Sequence, residues 1–236
     1  MQPEIVRTHS TALGLEQQKV LRNTYLLLAL TMVPTVIGAF MGMAPGGNVM
    51  HSPIQPIVMQ SPILTTVIML GVVIGLQFAI AKYRNSGVGV LLLLGMTFIL
   101  GWWLGPLLNV ALSLRNGPQL IGMAAAGTGG ILLDMSMVAT TTKRDFSFMG
   151  KFLFVGMIVL LLAMLANMFF QMPALALTIS ALVIVVFSLF LLHDVSRIVN
   201  GGETNYIMAA TGVYLSLFNI FANLLHLLMA FAGERE

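Results

Sequence analysis

Seven long apolar runs, at residues 24–43, 62–81, 87–112, 119–142, 148–171, 174–193 and 205–231, decide what this chain can become. Each is about 20 residues or longer, the length of helix that crosses a hydrocarbon layer roughly 30 Å thick. In lipid the backbone has no water to bond, so a spanning segment is either a helix or a strand of a closed barrel. These runs are continuous rather than alternating, which excludes barrel strands. The composition agrees: 58% of the 236 residues are hydrophobic and 8% are charged, whereas a water-facing domain is about 25% charged. That balance excludes intrinsic disorder and a soluble enzyme. The expected fold class is all-α, a polytopic membrane protein built as a seven-transmembrane-helix bundle. A single transmembrane domain, 23–236, follows a cytoplasmic N-terminal tail, 1–22.

Turn residues divide the runs where the spans should end. Ser61 and Pro62 read as an N-cap and a first helical residue, Asn116-Gly117-Pro118 as a turn, and Pro173 as the break between spans five and six. Pro34 and Pro106 fall inside spans one and three, where kinks are expected. Ala44 to Gln60, rich in proline and glycine and free of formal charge, reads as a non-cytoplasmic coil. The first run is too long for a cleaved signal, and no small-residue cleavage motif follows it before Pro45.

Basic residues set the orientation. With the N-terminus in the cytoplasm, Arg7, Lys19, Arg22, Lys82, Arg84, Lys143, Arg144, Lys151 and Arg197 lie inside, against Arg115 and Arg235 outside. Seven complete spans place the C-terminus outside; a sixth or seventh span that only dips into the bilayer returns it inside. The same scatter of cations, net +3, forms no single patch for nucleic acid and leaves membrane lipids as the surrounding partner. With no cysteine there are no disulfides, thiolate zinc sites or cysteine nucleophiles.

Chemistry in such a chain must come from polar groups within the spans, because burying them in lipid is costly. Asp134 in span four, Asp194 at the end of span six, and Asn219, Asn223 and His226 in span seven are the candidates. Asp134 is close enough to the cytoplasmic end to be hydrated, and serves either as a structural hydrogen-bonding group or as a functional acid. Asp194 has His193 beside it and Arg197 one turn on, the spacing of an i, i+3 ion pair. Asn219, Asn223 and His226 form one stripe expected to bond across to other helices. Catalytic templates are missing: there is no HExxH and no GxSxG. Asp134 and Asp194 lack the YD and GxGD contexts of intramembrane aspartyl proteases. No cofactor or metal set stands out. Gly38 and Gly42, Gly71 and Gly75, and Gly101 and Gly105 are GxxxG pairs, read as helix-packing faces.

Short polar motifs then bring a family into view. Thr142-Lys-Arg-Asp-Phe-Ser-Phe-Met-Gly150 before a long apolar helix, Asp194 closing the next, and the last helix beginning after Asn205-Tyr206-Ile207 resemble the Bax inhibitor-1 family of seven-helix membrane proteins. Lys19-Val-Leu-Arg-Asn-Thr-Tyr25, and Gly201-Gly-Glu-Thr-Asn-Tyr-Ile207 followed by Tyr214-Leu-Ser-Leu-Phe-Asn-Ile-Phe221, resemble its bacterial branch, and the likeness covers essentially the whole chain. The resemblance implies a bacterial inner-membrane protein that binds and modulates the ATP-dependent FtsH protease and its associated complex, with no catalytic activity of its own. Residues 1–22, including Met1, Glu4, Arg7 and Glu16, offer the protease an exposed, poorly structured handle. The apolar spans resist extraction, so the chain would act as a slowly degraded competing substrate. Calcium-leak members of the family instead use an aspartate pair on helices six and seven as a pH-sensitive gate. Asp194 matches the first of these, but the second falls on Ser216, which cannot ionise. A pH-sensitive calcium or cation leak through Asp194, with Ser216, Asn219, Asp134 and Arg197 around it, is the alternative reading.

Overall fold

The computed structural model describes residues 3–43, 62–142 and 144–233, with side chains from residue 14 in the first helix and residue 64 in the second. Among these described residues are seven helices long and apolar enough to cross a membrane. They are α1 (Pro3–Gly42), α2 (Pro62–Lys82), α3 (Gly87–Ser113), α4 (Gly117–Thr141), α5 (Gly150–Phe170), α6 (Pro173–Val199) and α7 (Tyr206–Gly233), with a 3-10 turn, Ser147–Met149, before α5. Pro62 opens α2, and Pro173 opens α6. Asn116 stands at the N-cap of α4, with Pro118 in its first turn. Proline is tolerated at these places because the first helical N–H groups have no intrahelical acceptor. Pro34 and Pro106 lie inside α1 and α3. The segment Ala44 to Gln60 and the Ser61 cap lie outside the described residues.

At the centre is α7, which packs against α1, α2, α3, α4 and α6. Its Val213, Tyr214, Leu217 and Ile220 meet Leu93 and Met96 of α3 and Leu27 and Leu28 of α1 in the largest buried cluster. Lipid tails are as apolar as leucine, so close packing rather than exclusion of water must hold these helices together. The α1–α3 seam shows how. A Cβ added at Gly38 would strike the Phe98 carbonyl oxygen, and one at Gly42 the Trp102 carbonyl oxygen. From the other side, a Cβ at Gly101 would strike the Thr35 carbonyl oxygen and one at Gly105 the backbone of Gly42. The two GxxxG pairs thus mesh with each other. The third does not: Gly71 and Gly75 on α2 are exposed and have nothing near the place a Cβ would take.

Two boundaries differ from the sequence reading. The tail, read as poorly structured, is helical from its third residue, because α1 runs unbroken from Pro3. Its 40 residues give a rod about 60 Å long at 1.5 Å per residue, twice the hydrocarbon thickness. No proline or glycine cluster interrupts residues 4–22, so the helix nucleated in the membrane propagates outward. Span six also runs on past residue 193 to Val199, which places Asp194 inside a helix rather than at its end.

Candidate functional site

The end of the bundle where α6 stops and α7 begins is built by the Asn200–Tyr206 connection. The N–H groups of Gly202 and Glu203 both donate to the Arg197 carbonyl, at 2.8 and 3.1 Å. This closure requires Gly201 to adopt φ 76°, a conformation glycine reaches without steric cost. Asn205 then caps α7: its Oδ1 accepts the N–H groups of Ile207 and Met208 at 3.1 Å each. Its amide nitrogen donates to the Arg84 carbonyl and to Asn85 Oδ1, both at 2.8 Å, tying the α2–α3 turn to the same corner. The segment Gly201–Ile207 is therefore a capping device, and Gly201 and Asn205 are there for backbone reasons.

Asp194 sits one to two turns before this corner, facing α7. The His193 Nδ1–H donates to Asp194 Oδ1 at 3.0 Å, and the two side chains are 10% and 19% exposed. Asp194 Oδ2 lies against Gly212 of α7, 2.6 Å from where a Cβ would be. Glycine at 212 thus makes room for the carboxylate between two helices. On its far side His193 meets Gly150, the first residue of α5, whose added Cβ would come within 2.8 Å of Nε2. Ser196, fully buried, accepts the Phe146 N–H at 3.0 Å and the Asn200 side-chain amide at 3.1 Å. Together these contacts dock the α4–α5 connection onto α6. In that connection the Ser147 hydroxyl and N–H hold the exposed Asp145 carboxyl below the usual carboxylate range, with a smaller contribution from His193.

The structure separates several residues the sequence placed together. Arg197 does not pair with Asp194; it donates to Glu203 Oε2 at 3.4 Å and to the Gly202 carbonyl at 3.2 Å. The loop turns back beneath the helix end and offers Arg197 an acidic partner that helical spacing alone does not show. Ser216, one turn beyond Gly212, is 2% exposed. Asn219 and Asn223 donate to Leu215 and Asn219 carbonyls of α7 itself, at 2.8 and 2.9 Å, so those two members of the stripe bond within their helix. Its third member, His226, does reach across, with Nδ1 3.0 Å from Ser180 Oγ of α6. Asp134 is exposed on α4. Among the handle residues, Met1 lies outside the described residues, Glu4 and Arg7 lie on α1 with undescribed side chains, and Glu16 is exposed. Among the described residues no three His, Asp or Glu side chains come together as a metal site.

Other polar features escaped the sequence reading. The Thr35 hydroxyl lies 2.8 Å from the Tyr214 hydroxyl, linking α1 to α7, and the Tyr25 hydroxyl lies 2.6 Å from Ser136 Oγ, linking α1 to α4. Asn109, near the end of α3, is 1% exposed with both side-chain polar atoms unpaired. Its presence in a span was the available signal.

Comparison with known proteins agrees with this architecture. The family model described as "Inhibitor of apoptosis-promoting Bax1" matches residues 17–233. The chain is 40% identical over 221 residues to the "Modulator of FtsH protease YccA" of Escherichia coli K12, covering 94% of each chain. It is also 40% identical over 226 residues, 96% of each chain, to a Vibrio cholerae protein named as a membrane protein. The match runs from α1 to the end of α7 and takes in the capped α6–α7 corner, and the chain belongs to the Bax inhibitor-1 family.

Proposed function

We propose that this chain sits in the bacterial inner membrane with its N-terminus in the cytoplasm, and that it binds and modulates an FtsH-type protease as a slowly degraded competing substrate. The observation that carries this reading is its near full-length similarity to a relative named as a modulator of that protease. The shape of the chain supports the mechanism. An ATP-driven protease must grip a segment it can unfold, and the part of α1 before the membrane is about one helix of marginal length once separated from packing partners. Behind it, the α1–α3 seam resists extraction, so engagement is followed by slow degradation. The basic residues Arg22, Lys82, Arg84, Arg144, Lys151 and Arg197 gather at the same end of the helices as this segment, which supports the orientation.

Neither role needs catalytic groups or a cofactor in this chain. Ser216, standing on the helix that Asp194 faces, favours modulation over a calcium leak: one carboxylate is a poor match for a cation that takes six to eight oxygens. Vesicles carrying the chain should show little calcium flux, and the Ser216→Asp variant more. The protease reading is tested by purifying the chain from native membranes and by deleting residues 2–16. We expect FtsH to co-purify with the full chain, and the truncated chain to insert normally, lose FtsH and live longer. Absence of FtsH, together with an unchanged half-life on truncation, would contradict the proposal.

A further inference from the structure

A cavity of about 870 Å³ runs down the flank of the bundle between α1 and α4, with α3 and α7 as its floor. On α1 its lining extends from Tyr25 to Met43, about 27 Å of helix and nearly the full hydrocarbon thickness. Val36 and Phe40, 52% and 69% exposed, mark its open side toward the bilayer. Ala125 and Gly129 recess the α4 wall. Every polar side chain in the lining is already bonded: Tyr25 to Ser136, Thr35 to Tyr214, and Thr128 to the Ala124 carbonyl. The groove therefore presents apolar surface to whatever fills it.

Access and charge together select the occupant. The groove opens toward the bilayer at Val36 and Phe40, where hydrocarbon chains are the surrounding solvent. Its bonded polar groups leave a polypeptide backbone no partner there, whereas an acyl chain needs none. At the end away from Tyr25 the lining includes Leu112 of α3 and Ile121 of α4, and the turn between them carries the exposed Arg115. The ion pairs among the described residues are His193 with Asp194 and Arg197 with Glu203, so Arg115 has no carboxylate partner there. A cation in the turn that joins two lining helices suits a phosphate at headgroup level. We infer that the α1–α4 groove is a binding site for an anionic phospholipid, with an acyl chain along Val36, Leu108 and Gly129 and the headgroup phosphate at Arg115.

The test uses the full chain reconstituted in vesicles containing phosphatidylglycerol whose acyl chain carries a photoreactive diazirine, with labelled residues mapped by mass spectrometry. Phe78 on α2 and Phe152 on α5, 73% and 75% exposed, report ordinary lipid contact. Groove residues should be labelled well above these controls. Gly129→Trp, at a position where an added Cβ meets nothing within 4 Å, should bring groove labelling down to the control level and leave Phe78 and Phe152 unchanged. Arg115→Gln should lower the preference for phosphatidylglycerol over a phosphatidylcholine probe about fivefold. Equal labelling of groove and controls in the wild type would overturn the inference. So would crosslinking of a photoreactive residue at Val36 to polypeptide instead of lipid, which would mean that a protein segment fills the groove.

Discussion

The α1–α3 seam and the outer face of α2 carry the same motif with opposite fates. Gly38 and Gly42 mesh with Gly101 and Gly105 so closely that no side chain fits between the helices. Gly71 and Gly75 face outward with open space around them. Small residues at four-residue spacing permit close approach, but the partner decides whether it happens: α3 offers α1 a second glycine pair in register, and α2 packs on α3 and α7 through other residues. The first face builds the bundle, and the second is available to another membrane helix. Under the proposed function, that second face is where contact with the protease's membrane segments is expected.

The sharpest way to break the comparison is to put the same residue on both faces. Gly105→Leu forces a side chain into the backbone of α1 and should destabilise the protein by about 3 kcal/mol or more, the upper end for overpacking. Gly71→Leu should stay within about 0.5 kcal/mol. Unfolding in mild detergent measures both, and similar values would erase the distinction. The double variant Gly71→Leu, Gly75→Leu then sharpens it: folding should be unaffected while the amount of FtsH recovered with the chain falls. Undiminished recovery would assign the exposed pair no role in docking.

At the α6–α7 corner the expected effects are smaller. Asp194→Asn weakens the bond from His193, and Gly212→Ala displaces the same carboxylate, so each should cost about 0.5–1.5 kcal/mol. The two should be strongly non-additive, since both act on one interaction; a double-mutant cycle measures this. The smallest effect belongs to Arg197→Gln. Its side chain is 38% exposed and its partner is Glu203, so the loss should be about 0.3–0.5 kcal/mol. It should add independently to Asp194→Asn, because the two side chains do not pair.

How much of this was legible in the sequence depends on the range of the interaction. Helix existence is local: twenty apolar residues bounded by proline, asparagine or glycine have few alternatives in lipid, and α2, α3, α4, α5 and α7 fall within a few residues of their expected limits. The extended tail was misread because polar residues 4–22 suggest water, and water alone does not stop a helix that already has a nucleus. Arg197 was assigned to Asp194 from helical spacing, which cannot see a loop folding back to present Glu203. Asn219 and Asn223 were aligned correctly on one face, yet their amides found acceptors one turn back along α7. The lipid groove was invisible, since it depends on where α1 and α4 fail to meet. Neither helix records that separation in its own sequence.

By the proposed mechanism, this chain protects other substrates by occupying the protease slowly. Vesicles containing FtsH and a membrane reporter substrate, with ATP supplied, test it directly when the rate of reporter loss is followed with and without the full chain. Reporter degradation should slow as the chain is added, while the chain itself disappears over a longer time, and deletion of residues 2–16 should abolish the slowing. An unchanged reporter rate at a large excess of the full chain would contradict the account.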